Sequence, residues 1–305
     1  MTGRTIADSG FAGPAIVALA AALWGTAGPA SRVLLETTDL DAPAIGFVRL
    51  AIAGPALLAV ALALPAVRIG FARRHRMALA MIGVGQAAYQ GLYFGAVERV
   101  GVSMATIAAL GGAPVLVALL AALVLGERID RPVVLAIALA GAGVVLLVGI
   151  PDAAAPAGDG TVLGLFMALG AALAYAVFAL AARSLAPHHH PLAILAVGFT
   201  LGTAMLAPAA LAGGLPLPKT PTGWLLAAFI GLVSTCLAYG LFFFGMRTTS
   251  ATMSGVLVLI EPLTASLLAA LVFGERLGPL GYLGGLLLGA AVVVLARPWR
   301  AAAGR

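Results

Sequence analysis

Apolar runs of close to twenty residues alternate with short polar loops from one end of the chain to the other. Ten such runs are legible, at about 12–34, 43–64, 77–97, 101–125, 132–150, 160–182, 191–212, 223–245, 250–273 and 279–296. A bilayer core takes about 20 mostly apolar residues in one helix, so each run is long enough to cross. None alternates polar and apolar positions as a membrane barrel strand does, which leaves helices as the spanning element. The longest interruptions, Leu64–Met77 and Ile150–Thr161, carry Pro, Gly and charge and read as loops. The first run is longer than a signal-peptide core of about 7–15 residues and reads as part of the mature fold. The pattern predicts an all-α integral membrane protein of ten helices.

Composition agrees. Of 305 residues, 62% are hydrophobic and 9% charged, and the mean hydropathy is +1.12. A soluble globule of this size has no way to hide so much apolar side chain, which excludes a soluble enzyme and a nucleic-acid-binding domain. The net charge of +6 follows from loop arginines. With the N-terminus in the cytoplasm, twelve Lys and Arg fall in inside segments and four in outside segments, with Arg49 inside a span. That bias places both termini in the cytoplasm, and the expected location is the inner (cytoplasmic) membrane. Cys236 is the one cysteine, so no intramolecular disulfide forms, and its apolar run marks it as a small core residue.

The chain is written twice. Pro114–Arg128 (PVLVALLAALVLGER) and Pro262–Arg276 (PLTASLLAALVFGER) match at ten of fifteen positions with an offset of 148. Arg99 and Arg247 keep that offset, and Trp24/Tyr175 and Arg32/Arg183 pair at 151. Two five-helix units are expected, 1–150 and 151–305. Because five is odd, the second enters the membrane inverted, and such halves can enclose a central cavity that opens to either side in turn.

The tandem halves resemble the EamA family of the drug/metabolite transporter superfamily. The likeness rests on the Pro-led alanine-leucine helices that end in Gly-Glu-Arg, on Glu261-Pro262 and on Leu23-Trp24-Gly25-Thr26. It covers about 12–297. It implies a ten-helix basket around a central cavity and export of small metabolites. Within the family the chain looks most like a YddG-type exporter of aromatic and other neutral amino acids.

Polar and aromatic residues at mid-depth are the candidates for a substrate path. Gln86, Tyr89, Gln90 and Tyr93 lie within two turns of the third run, where unpaired amides in hydrocarbon are costly. They line either a wet cavity or an interhelical hydrogen-bond seam. In the eighth run Thr235 and Tyr239 share a face with Phe242, and Phe243 follows. Trp24, Tyr175 and Phe178 sit near helix centres, whereas Trp224, Tyr282 and Trp299 suit interfacial belts. Glu261 is the acid placed deep in a span: a cavity group that senses protons or contacts an amine, or a structural acid at the Pro262 kink. Arg49 either contacts a substrate carboxylate or snorkels to the interface. Pro114 and Pro262 are expected to break matching helices and act as hinges. Gly281, Gly285 and Gly289 repeat at four-residue spacing and permit close helix contact. His188-His189-His190 lacks metal-site spacing and reads as a solvated turn.

No nucleotide-binding, metalloprotease or serine-hydrolase motif is present, so neither catalytic residue, metal nor cofactor is expected. The expected partners are a small-molecule substrate and the lipid bilayer, with no nucleic acid, and the expected state is a monomer. The reading is export of small metabolites, foremost neutral amino acids, by alternating access without ATP hydrolysis. The alternatives are a sugar or nucleotide-sugar transporter and a channel-like facilitator.

Overall fold

A computed structural model describes residues 12–148, 160–212, 214, 217–274 and 278–303. Arg4, Asp152, Asp159, Glu275, Arg276 and Arg305 lie outside the described residues, as does the side chain of Trp299. The described chain is helical: α1 (Ala12–Gly25), α2 (Ala27–Thr37), α3 (Ala42–Ala63), α4 (Arg76–Leu125), α5 (Arg131–Val148), α6 (Thr161–Leu185), α7 (Pro191–Ala212), α8 (Pro221–Gly231), α9 (Ala238–Gly245), α10 (Ala251–Leu257), α11 (Ile260–Phe273) and α12 (Pro279–Ala303). A π-helical turn, Leu232–Leu237, joins α8 to α9.

Among the described residues eight helical segments are long and apolar enough to cross a membrane, and Pro279–Val294 is a shorter apolar helix. Residues 76–100 form the first arm of α4, cut from the second at Gly101 (φ 77°, ψ 164°). Gln86, Tyr89, Gln90 and Tyr93 dilute that arm's hydropathy. Large apolar side chains such as Leu62, Leu123, Leu225 and Leu271 face outward, as lipid contact requires. Alanine recurs throughout the interior, alongside buried Leu and Phe. Gly143 and Gly284 bring α5 and α12 into backbone contact: a Cβ on Gly284 would lie 2.7 Å from the Gly143 carbonyl. Of the glycines expected to allow close contact, Gly281, Gly285 and Gly289, a Cβ on Gly285 would lie 3.2 Å from the Leu263 side chain of α11, whereas a Cβ at Gly289 meets nothing.

Gly126 and Gly274 end their helices in the left-handed conformation, both at φ 68°, and send their N–H groups to Ala121 and Ala269. A Cβ is strained there, which explains the glycine of each Gly-Glu-Arg ending. Pro114 and Pro262 differ. The helix runs on through Pro114, contrary to the expected break. Before Pro262 the chain turns between α10 and α11, where the Val258 carbonyl accepts from the Glu261 N–H at 2.9 Å. Proline supplies no donor to the carbonyl four residues back. At Pro262 that carbonyl belongs to Val258, and the tighter turn supplies another donor.

Side-chain bonds between distant segments fix the two ends. The Glu127 end is closed by contacts between segments distant in the sequence. The Glu127 carboxylate accepts from the backbone N–H groups of Ala251 (2.8 Å) and Thr252 (3.0 Å) and from the Thr252 hydroxyl (2.7 Å), which caps α10. Arg183 donates to the Met246 and Arg247 carbonyls. His75 Nδ1 lies 2.6 Å from His189 Nε2 and its ring stacks on His188, so the histidine turn is docked on the α3–α4 loop. At the opposite, Asp41 end, Lys219 pairs with Asp39 in the open, and two large cavities enter.

Candidate functional site

Mid-way along the bundle six of the expected residues line one small cavity. Trp24, Arg49, Tyr89, Tyr175, Tyr239 and Glu261 enclose about 40 Å³, room for water only. Ala109, Leu110, Ala113, Gly255, Val258 and Leu259 complete the wall. Nothing in the hydrophobic pattern singles out these small and aliphatic residues among many like them. Four buried polar atoms near this level have no hydrogen-bond partner: Trp24 Nε1, Gln86 Nε2, the Tyr175 hydroxyl and the Ser254 hydroxyl. Such atoms cost about 1–3 kcal/mol each when left unpaired. Trp24 and Tyr175 also line the cavity, so their free groups stand ready for a polar solute.

The local backbone explains how these side chains converge. Helix α1 stops at Thr26, whose hydroxyl bonds the Leu23 carbonyl (2.6 Å) and Ser234 Oγ (2.7 Å). The next residue back, Gly25, is bare because α11 presses on it: a Cβ there would lie 2.6 Å from the Glu261 carbonyl. Leu23-Trp24-Gly25-Thr26 thus places an indole in the cavity, admits Glu261 and ties α1 to the π turn. That turn is the feature sequence reading missed. Its wider winding lets Thr235 Oγ1 donate to the Ile230 carbonyl at 2.8 Å while it accepts from Arg49 Nε at 2.7 Å. Arg49 therefore points inward, not along the snorkelling path that remained open from the sequence.

Aromatic rings seal the cavity toward the Glu127 end. Tyr239 stands 4.6 Å from Trp24 and 4.8 Å from Phe199, ring centre to ring centre. Phe178 packs edge-on to Tyr239 and Phe243, each at 5.6 Å. Phe178 and Phe243 are thus buried core beneath the cavity and do not line it. Toward the Asp41 end the small cavity adjoins a vestibule of about 440 Å³ that shares Trp24, Leu110 and Glu261 with it and extends to Arg32 and Phe273. Tyr93 lines this vestibule, stacks parallel to Tyr89 and bonds Thr106 Oγ1 at 2.9 Å. Gln90 turns away into a separate crevice. Among the described residues no group of His, Cys, Asp or Glu is arranged to hold a metal.

The sequence profile of the EamA-like transporter family matches this chain twice, over residues 12–149 and 162–297. The chain belongs to the EamA-like transporter family. An uncharacterized transporter, YwfM of Bacillus subtilis (strain 168), is 35% identical over 285 residues, which is 92% of this chain and 93% of that protein. An uncharacterized transporter of Archaeoglobus fulgidus is 29% identical across 94% of this chain and 96% of its own length. A WAT1-related chloroplastic protein of Arabidopsis thaliana is 30% identical over 138 residues, 45% of this chain and 33% of that one. A crystal structure with 19% sequence identity superposes with a TM-score of 0.80 over 94% of this chain and 97% of its own, a likeness of fold. Membership in the EamA family and the apolar helices together make this chain a multi-pass membrane transporter.

Proposed function

We propose that this EamA-family protein exports small zwitterions, foremost aromatic and other neutral amino acids, as a monomer of ten membrane spans. The two spans beyond the eight long apolar segments are residues 76–100 and Pro279–Val294. The observation that carries the reading is the central cavity, where Arg49 and Glu261 face one space alongside the unpaired Trp24 and Tyr175 donors. A guanidinium suits a carboxylate, a carboxylate suits an ammonium, and aromatic walls suit an apolar side chain. One cation is a poor match for the several charges of a nucleotide sugar. The cavity has room for water only, so a substrate binds where it widens into the vestibule, next to Glu261.

The mechanism we infer is alternating access without ATP. The basic Glu127 end, with Arg74, Arg128, Arg183 and Arg247, faces the cytoplasm, as the positive-inside bias demands. The Asp41 end faces outward and is the open one. The two five-helix halves, 1–150 and 151–305, rock against each other, with the turn before Pro262 as the hinge.

The test is counterflow in proteoliposomes preloaded with a panel of amino acids and sugars, with and without a pH gradient. Saturable exchange of aromatic or other neutral amino acids is expected. Exchange of sugars alone would overturn the substrate, and unsaturable flux would replace the carrier with a channel.

A further inference from the structure

A second crevice opens at the Asp41 end, apart from the central cavity. It measures about 360 Å³ and lies between the ends of α3, the first arm of α4 and α7. Gln90 lies along it, only 5% exposed. Phe47 and Phe94 wall it, and Asp41 and Glu98 line its rim.

A groove of the same build at the Glu127 end shows what is unusual here. That groove, about 510 Å³, lies between α3, α7 and α8–α9 and is walled by Leu57, Val60, Leu237, Leu241 and Phe244. Such a surface suits lipid tails. The Asp41-end crevice holds a buried amide instead, which hydrocarbon cannot satisfy. Its rim also carries charge. Asp41 uses one oxygen to cap α3 through the Ala44 N–H at 2.8 Å. Glu98 lies 3.8 Å from Arg99, whose guanidinium is held by the Gly95 carbonyl. Lys219 is taken up by Asp39. Two carboxylates against one nearby arginine leave the rim net negative.

We propose that this crevice is a second solute site, selective for a small primary amine with an aromatic body and a polar far end. The ammonium sits at the Asp41 and Glu98 carboxylates, the ring lies between Phe47 and Phe94, and the far polar group meets the Gln90 amide. The site is separate from the Arg49–Glu261 cavity and takes a net cation where that cavity takes a zwitterion.

Tyramine is the probe, with its binding to the full-length protein in lipid nanodiscs followed by calorimetry. Saturable binding is expected, and 3-(4-hydroxyphenyl)propanoate, which replaces the amine with a carboxylate, binds at least tenfold more weakly. The double variant Asp41→Asn/Glu98→Gln weakens tyramine at least tenfold, since Asn still caps α3. Gln90→Leu costs about tenfold. Gly91→Leu, at a position where a Cβ meets nothing, fills the crevice and removes binding, while Gly91→Ala leaves the fold and its thermal unfolding unchanged. Arg49→Gln leaves tyramine binding intact, which separates this site from the central one. The proposal is overturned if folded protein shows no saturable tyramine binding. It is equally overturned if the propanoate binds as well, or if Arg49→Gln abolishes binding while Gly91→Leu spares it.

Discussion

The Glu127 end and the Asp41 end are made from the same kind of helix, yet one is locked and the other open. At the Glu127 end a carboxylate from the tail of α4 caps α10, an arginine from α6 holds two carbonyls after α9, and an aromatic floor lies behind them. At the Asp41 end the polar pair Lys219–Asp39 is exposed, and the crevice and the vestibule enter. Helix ends carry unsatisfied backbone groups by nature. An end closes when a distant segment satisfies them, and it stays open when its own loop or water does. The central cavity lies at the boundary between the two regimes.

Substitutions can break or sharpen this contrast. The largest effect is expected at the boundary itself. Glu261→Gln and Arg49→Gln should each lower amino-acid exchange at least about 100-fold while the protein still inserts, because each removes one of the two groups that the proposed substrate would meet. Wild-type counterflow in either variant would detach the cavity from transport. Glu127→Ala should unlock the closed end. Hydrogen bonds to a charged group contribute about 1.5–3 kcal/mol, so losing this cap shifts the closed-to-open balance by at least tenfold. In a Cys236→Ser background, a cysteine at Ser254 should then react at least about tenfold faster with a membrane-impermeant maleimide applied from the Glu127 end. An unchanged labelling rate would show that the aromatic floor alone closes it.

Two neighbouring glycines sharpen the boundary further. Gly25→Ala drives a methyl into the Glu261 carbonyl, an overpacking that costs about 1–3 kcal/mol and should lower the thermal unfolding midpoint. Gly28→Ala, one turn nearer the open end, meets only the Ala265 Cβ at 3.9 Å and should be tolerated. Equal midpoints for the two would remove the distinction.

The smallest effect is pH. Loss of hydration pushes the His75 and His189 imidazoles below their usual 6.5, with Arg74 adding to it at His75 and the neighbouring ring at His189. The folded protein thus binds protons less readily than the unfolded chain. The contribution is complete above about pH 6.5 and declines as pH falls through the shifted values. A shift from pH 7.5 to 5 should loosen the Glu127 end by a small amount, seen as faster Ser254→Cys labelling, and His75→Gln should flatten the response. The Asp39–Lys219 pair at the other end stays charged across that range, because Lys219 holds the Asp39 carboxyl below its ordinary value.

How much of this was readable beforehand depended on what each residue needs. The eight long apolar segments were legible because lipid imposes a length and a polarity that no tertiary contact overrides. Trp24, Tyr89, Tyr175, Tyr239 and Glu261 were legible because a polar or bulky polar-tipped group at mid-depth demands a reason. Arg49 was ambiguous: its direction is set by Thr235, whose position depends on a π turn that leaves no mark in hydrophobic periodicity. Ala109, Ala113 and Gly255 line the cavity by being small, and small residues are everywhere in this chain. Phe178 and Phe243 look like Tyr175 and Tyr239 in a pattern, and only three-dimensional packing puts them beneath the cavity. The proline pair misled for a related reason. Matching residues were expected to give matching breaks, but whether a proline breaks a helix depends on whether the orphaned carbonyl finds another donor.

The presence of Arg49 and Glu261 in one cavity has an electrical consequence. Moving one elementary charge through 100 mV involves about 2.3 kcal/mol, so a carrier of cations or anions is driven or stalled by the resting voltage. On the proposed reading the solute carries one charge of each sign and would cross the cavity silently. Exchange through it should produce no current, and clamping the membrane voltage should leave its rate unaltered.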